Sequence, residues 1–85
     1  MKHILIEFQE RNGEQEYSLH YVVTANKWQK PDAVANRVAR NWYPDKPDAS
    51  DGGFYFFNGC VHVSVTKVQV ISDDERTTLL KLGIA

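Results

Sequence analysis

The sequence has a single cysteine, no long apolar run and almost no net charge. Cys60 alone excludes an intrachain disulfide framework, and such a composition is typical of the reducing cytoplasm. The apolar stretch near the N-terminus is broken at Glu7, so neither a signal peptide nor a transmembrane helix is predicted. Ten basic and eleven acidic residues leave a net charge of −1, so no overall field favours nucleic acid or a membrane.

Catalytic and cofactor motifs are also missing. The Asp- and Gly-rich segment 45–53 matches neither an EF-hand, a phosphate-binding loop nor a dinucleotide fingerprint. His3, His20 and His62 lack the spacing of metal ligands, and Cys60 and His62 stand too far apart along a strand for a nucleophile–base pair. We therefore expect no enzyme, no metal and no cofactor, with Cys60 acting as a small, partly buried hydrophobic residue.

Two regions with a period of two predict the first strands. Residues 4–8 and 17–23 both alternate apolar and polar side chains, as half-buried strands do. Residues 10–14, which include Asn12-Gly13, are predicted to form the hairpin loop between them. The length of 85 residues predicts a single domain, 1–85, with a modest core.

A helical period follows. Pro31 suits the first turn of a helix and Pro44 ends it. The apolar stripe of this helix is Val34, Ala35, Val38, Ala39 and Trp42. Trp42 is therefore expected to be buried and Trp28, in a preceding turn, to be exposed. Segment 45–53 is predicted to be a loop because of its Asp, Pro, Ser and Gly content.

The dipeptide Asn58-Gly59 separates two strand-like runs and predicts a two-residue hairpin turn with Gly59 at positive φ. This register pairs Phe56 with Val61 and Tyr55 with His62. Beyond Val65 the alternation slips by one residue, which a β-bulge near Thr66-Lys67 would explain, as would a strand buried on both sides.

The last segment begins with a capping box. Ser72 and Glu75 have the spacing for reciprocal hydrogen bonds, and Gly83 is placed to end the helix with Ile84 as its apolar companion. The predicted fold is α+β, with one four-stranded antiparallel sheet and the element order β-β-α-β-β-α. The first helix crosses one face of the sheet, and the short C-terminal helix covers an edge or part of the other face.

The predicted register divides the side chains between two faces. The inner face is expected to carry Ile4, Ile6, Phe8, Tyr17, Leu19, Tyr21, Val23, Phe54, Phe56, Val61, Val63 and Val65. The outer face is expected to carry His3, Leu5, Glu7, Ser18, His20, Val22, Tyr55, Phe57, Cys60, His62 and Ser64. The outer face is too aromatic for a surface that only meets water. Either the last helix covers it, or it meets a partner as a homodimer, a heterologous contact or a platform for base stacking.

Positive charge is clustered only on the outward stripe of the first helix. Lys30, Arg37 and Arg40 lie there, where they could contact an acidic protein patch or phosphates. With Tyr55, Phe57 and His62 of the outer face, they are the residues that we expect to bind a partner.

The run Asp51–Val63 (DGGFYFFNGCVHV) resembles small proteins encoded by phages and mobile elements. Those proteins pair a Tyr/Phe-Phe-Asn-Gly hairpin with a valine-alternating strand and an acidic-capped final helix. The β-β-α-β-β layout is also similar to some anti-CRISPR proteins, which are short and lack enzymatic motifs. The resemblance covers most of the chain in layout but only this hairpin in residues, and it carries over no functional residue.

What the resemblance implies is a binding role directed at a host protein machine. We expect a cytoplasmic, non-enzymatic inhibitor from a mobile element that docks on a bacterial defence complex of the CRISPR type. The alternative is an accessory protein that binds nucleic acid through the basic helix stripe.

Overall fold

The computed structural model describes residues 1–50 and 53–83, which form five strands and two α-helices. Strands β1 (Lys2–Asn12) and β2 (Gln15–Ala25) precede helix α1 (Pro31–Arg40). Strands β3 (Asp48–Ser50), β4 (Gly53–Phe56) and β5 (Val61–Ile71) precede helix α2 (Asp73–Lys81). All five strands form one antiparallel sheet in the order β2-β1-β5-β4-β3. The fold is therefore α+β, as the sequence predicts.

The predicted strand number was wrong, because part of the predicted 45–53 loop is a strand. Asp48 and Ala49 pair with Tyr55 and Phe54, which places β3 at the edge of the sheet. An edge strand of three residues needs no apolar alternation and tolerates charged side chains, so its composition resembles that of a loop. The rest of the predicted loop includes Asp51 and Gly52, which lie outside the described residues.

The first hairpin is tighter than predicted. Pairing continues to Asn12 and Gln15, so the loop consists of Gly13 and Glu14 rather than residues 10–14. Gly13 has a φ of 65°, as the first central residue of a type II′ turn requires. One consequence is that Glu10 belongs to β1 and shares the inner face with Phe8.

The second hairpin has the predicted register, with Phe56 opposite Val61 and Tyr55 opposite His62. Asn58 and Gly59 have positive φ angles of 57° and 90°. Phe57 also has a positive φ, 54°, which the sequence did not predict. Residues 57–60 therefore form the connection between β4 and β5, and the predicted two-residue loop was too short.

The predicted bulge is confirmed. Glu7 pairs with Lys67 while its neighbour Phe8 pairs with Val65, so Thr66 is the extra residue of β5. After the bulge Val68 lies opposite Ile6 on the inner face and packs against the core.

The core lies between the inner face of the sheet and α1. Its buried members are Ile4, Ile6, Phe8, Ala25, Val34, Ala35, Ala39, Phe56, Val61 and Val63. Because α1 packs mainly on β5, β4 and β1, the inner side of β2 extends beyond the helix. Tyr17 and Tyr21 were predicted to be inward-facing core residues, but they are 45% and 39% exposed.

Both helices begin as the sequence predicts. Pro31 occupies the first turn of α1, and the Ser72–Glu75 capping box of α2 is complete, with hydrogen bonds of 3.1 and 3.0 Å. Gly83 follows α2 with a φ of 80°; its predicted companion Ile84 lies outside the described residues. Neither helix of the described chain is long and apolar enough to cross a membrane.

The tryptophans differ in exposure, as predicted. Trp28 is 80% exposed, while Trp42 is half-buried against the core. Because α1 ends at Arg40, Trp42 reaches the core from the turn that follows the helix. Trp42 was expected to be buried, but it is only half-buried.

Helix α2 covers one end of the outer face. It has no buried residue, and its first turn is held by a 2.6 Å contact between His3 Nε2 and Asp73 Oδ1. A groove of about 360 Å³ separates Thr78 and Leu79 of the helix from Leu5 and Ile71 of the sheet. Most of the outer face therefore lies away from the helix.

Candidate functional site

The basic stripe of α1 forms one wall of a groove. Arg37 and Arg40 lie one helical turn apart and line a cavity of about 330 Å³ together with Ala33, Asn36 and Phe54. Phe54 comes from β4, so the groove lies on the β4 side of α1. A groove lined by two arginines and an aromatic residue forms a surface that suits an anionic or mixed partner.

The charges of this groove are open to solvent. Both arginines are exposed, and neither forms an ion pair or side-chain hydrogen bond with any residue of the described chain. They lie in the last turn of α1, where the negative end of the helix dipole favours cations. Lys30 was predicted to share the stripe, but it occupies the N-cap position at the other end of α1 and does not line the groove.

On the outer face, Tyr55 and His62 lie opposite each other on β4 and β5. Their ring centroids are 4.5 Å apart and their planes are tilted by 41°. Both rings line a hollow of about 350 Å³ with Arg11, Gly13 and Cys60, where the two hairpin ends approach each other. Cys60 is exposed in the hairpin connection, so its expected partial burial was wrong.

Phe57 does not lie beside Tyr55 and His62, although the alternation of side chains along the strand predicted it on the same outer face. Its left-handed backbone takes it out of the strand, and its ring packs on Tyr43 at a centroid distance of 5.3 Å. Tyr43 also contacts the buried ring of Phe56, at 5.4 Å, so Phe57 belongs to the helix side of the sheet. Its side chain is nevertheless 45% exposed.

Two histidines of the outer face have separate acidic partners. His3 contacts Asp73, and His20 Nε2 lies 2.9 Å from Glu7 Oε2. A hydrogen bond from the Thr66 hydroxyl and the contact with His20 lower the pKa of Glu7 from its ordinary value of 4.5. Within residues 1–50 and 53–83, no group of three metal-binding side chains comes together.

A polar site on the inner face was missed by the sequence reasoning. Glu10 Oε1 accepts a hydrogen bond from Trp42 Nε1 at 2.9 Å and another from the Tyr43 hydroxyl. The hydrogen bond to Glu10 raises the pKa of Tyr43 to about 12, because losing the phenol proton would place two anions side by side. Glu10 thus fixes both aromatic side chains of the turn after α1.

The rings around Glu10 form a corner. The ring centroid of Trp42 lies 4.8 Å from that of Phe8 and 5.4 Å from that of Tyr21. The ring planes of Tyr21 and Trp42 are nearly perpendicular, at 82°. A pocket of about 400 Å³ opens here on the β2 side of α1, lined by Glu10, Leu19, Tyr21, Val38, Asn41, Trp42 and Tyr43. We refer to it as the Glu10 pocket.

One pattern in the sequence could have revealed this site. Continuing the alternation of Ile4, Ile6 and Phe8 by one step places Glu10 on the inner face. A carboxylate on an inner face needs donors, and the indole and phenol of Trp42 and Tyr43 are the groups that a nearby turn can supply.

Comparison with known proteins gives no match to this chain among protein-family models, curated proteins or solved structures.

Proposed function

We propose that the chain is a non-enzymatic binding protein that acts by stoichiometric contact through the groove lined by Arg37, Arg40 and Phe54. The observation that carries this proposal is the pair of exposed arginines, Arg37 and Arg40, beside Phe54. Arginine and aromatic side chains are the types that dominate the energetics of protein interfaces. Helix α1 places the two arginines about one turn apart on the same side, so a single acidic patch can meet both.

The partner that we propose is a bacterial defence complex of the CRISPR type, and the role is inhibition by a mobile-element protein. The resemblance of the Asp51–Val63 hairpin supports this partner class. In such a role the charges of the two arginines also raise the association rate and make it depend on salt. Tyr55 and His62 lie together on the other face of the sheet, where they provide a second candidate contact.

The second candidate function is nucleic-acid binding through the same groove. The observation that favours it is that Phe54 lines the same groove as Arg37 and Arg40, because the binding of phosphates and of a stacked base uses cationic and aromatic side chains together. Its affinity would fall steeply with salt concentration as counterions are released.

The test is an affinity pull-down from a bacterial lysate, with and without nuclease treatment, using the wild-type protein and an Arg37→Glu/Arg40→Glu variant. The expected result is a protein partner that resists nuclease and is lost, or bound at least about tenfold more weakly, with the variant. Loss of all partners after nuclease treatment would support the second candidate instead.

A matched control separates the effect of net charge from the effect of the groove. Lys46→Glu/Lys81→Glu changes the net charge by the same amount at two exposed positions away from the groove, so it is expected to retain the partner. Circular dichroism and thermal unfolding check that both variants fold. If the folded arginine variant keeps wild-type affinity for every recovered partner, the groove is not the binding surface.

A further inference from the structure

The Glu10 pocket combines aromatic walls with a carboxylate. Tyr21 and Trp42 meet nearly at a right angle, and the Glu10 carboxylate is held beside the Trp42 indole by a hydrogen bond. Tyr21 is 39% exposed, so its ring is accessible from solvent. At about 400 Å³, the pocket falls within the size range of small-ligand sites.

The hydrogen bonds of Glu10 leave one oxygen available. Trp42 and Tyr43 both donate to Oε1, whereas no described residue donates to Oε2. The negative charge is therefore positioned by two neutral donors and is not neutralised by a cation of the described chain. A half-buried carboxylate of this kind favours a cationic ligand that can donate a hydrogen bond.

The aromatic rings of the pocket also favour a cationic ligand. A cation within about 6 Å of a tyrosine or tryptophan ring is attracted by the negative face of the ring. A guanidinium group is planar and weakly hydrated, so it can stack on one ring while its N–H groups reach a carboxylate. A lysine ammonium can use the carboxylate but cannot stack, and a quaternary ammonium cannot donate to Oε2.

We propose that the Glu10 pocket binds an arginine side chain presented by a partner protein. The guanidinium group stacks against Tyr21 or Trp42 and donates to Glu10 Oε2, while Leu19 and Val38 contact the methylene groups. This site lies on the β2 side of α1, whereas the Arg37/Arg40 groove lies on the β4 side. The proposal does not depend on the function assigned to that groove.

The experiment uses the arginine side chain as a capped single residue. N-acetylarginine methylamide is titrated into the full chain carrying Trp28→Phe, which leaves Trp42 as the only tryptophan. Trp42 fluorescence and the NMR signal of its Nε1–H are followed. The expected result is a saturable change in both, with the neutral isostere N-acetylcitrulline methylamide binding at least about tenfold more weakly. Equal binding of the two compounds, or no saturable change, would overturn the proposal.

Variants test the carboxylate and the ring. Glu10→Gln keeps an acceptor for Trp42 and Tyr43 but removes the charge, and it is expected to weaken arginine binding about tenfold. Glu14→Gln removes an exposed charge from the hairpin loop and is expected to have no effect. Tyr21→Leu is expected to weaken binding while the protein stays folded, since Tyr21 lies at the margin of the core. Wild-type affinity in folded Glu10→Gln would contradict the proposed site.

Comparison with a lysine compound separates the contribution of positive charge from that of guanidinium stacking. If N-acetyllysine methylamide binds as tightly as the arginine compound, the assignment to arginine is wrong. Weaker binding of the lysine compound is the expected outcome, because a guanidinium stacks flat on the ring while it donates to the carboxylate, whereas an ammonium is more strongly hydrated and cannot stack.

Discussion

The backbone N–H of Phe57 donates a 2.8 Å hydrogen bond to Oδ2 of Asp45. Phe57 has a φ of 54°, a conformation that bulky side chains rarely adopt. The carboxylate of Asp45 and the ring of Tyr43 therefore hold Phe57 in place from two sides. A strained position of this kind persists only where neighbouring groups fix it.

Removing the acceptor at Asp45 is expected to destabilise the fold. Asp45→Ala should lower the free energy of unfolding by about 1 kcal/mol, because water replaces the charged acceptor of the exposed Phe57 amide less favourably. Asp45→Asn keeps a hydrogen-bond acceptor, so its free energy of unfolding should fall less than that of Asp45→Ala. Urea unfolding of the two variants measures the difference, and equal stability of Asp45→Ala and the wild-type protein would show that the contact contributes nothing.

Gly59 is expected to tolerate substitution poorly, since it has a φ of 90° at the end of the hairpin connection. Gly59→Val should cost about 1–2 kcal/mol or more, because a β-branched residue is strained in this conformation. Asn58→Gly is the matched control at the neighbouring left-handed position and should change stability by less than about 1 kcal/mol. Chemical denaturation compares the two, and a Gly59→Val protein as stable as Asn58→Gly would contradict the turn.

Tyr43 is expected to ionise at a higher pH than an ordinary tyrosine. Its pKa in the folded protein is about 12, against an ordinary value of 10.0, because its hydroxyl donates to Glu10. The folded state thus retains the proton more strongly than the unfolded state. The contribution to stability is fully present below pH 10 and is lost as the pH rises from 10 towards 12.

Ultraviolet absorbance of the phenolate follows this titration. Tyr43→Phe should remove the late step, and Glu10→Gln should move it towards the ordinary pKa. Tyr55→Phe should leave the late step in place, because Tyr55 lies on the other face of the sheet. An unchanged late step in both Tyr43→Phe and Glu10→Gln would disprove the assignment.

Glu7 is expected to contribute to the acid sensitivity of the fold. The Thr66 hydroxyl and His20 lower its pKa below 4.5, so the ionised form is favoured in the folded state. The resulting stabilisation is present above pH 4.5 and is lost as the pH falls through the lowered pKa. Thr66→Val keeps the branched shape but removes the main hydrogen-bond donor to Glu7. The free energy of unfolding of this variant should therefore fall less steeply than that of the wild-type protein as the pH is lowered. Thermal unfolding across this pH range tests the difference, and identical pH profiles would refute it.

The sequence predicts those elements that local chemistry determines. Asn58-Gly59 set the register of β4 and β5, the Ser72–Glu75 capping box began α2, and the slipped alternation after Val65 indicated the bulge at Thr66. In each case the physical reason lies within a few consecutive residues, so the prediction needed no tertiary information.

Features that depend on neighbouring elements were not predictable in this way. Strand β3 exists because β4 offers it an open edge, and Phe57 is turned aside by Asp45 and Tyr43. Glu10 was placed in a loop because the end of a hairpin depends on pairing as well as on turn residues. Arg37 and Arg40 were correctly expected to lie close together, but only the position of β4 shows that Phe54 joins them.

The sheet order has a consequence for how the molecule assembles. The hairpins β1–β2 and β4–β5 are closed by short connections, whereas the central pair β1–β5 joins opposite ends of the described chain. Closing this pair requires the largest loss of chain entropy, so docking of the two hairpins should limit the folding rate. During synthesis, one edge of β1 therefore stays unpaired until Ile71, the last residue of β5, is available for pairing. Closure of the sheet is accordingly expected to be a late event in the folding of the described chain.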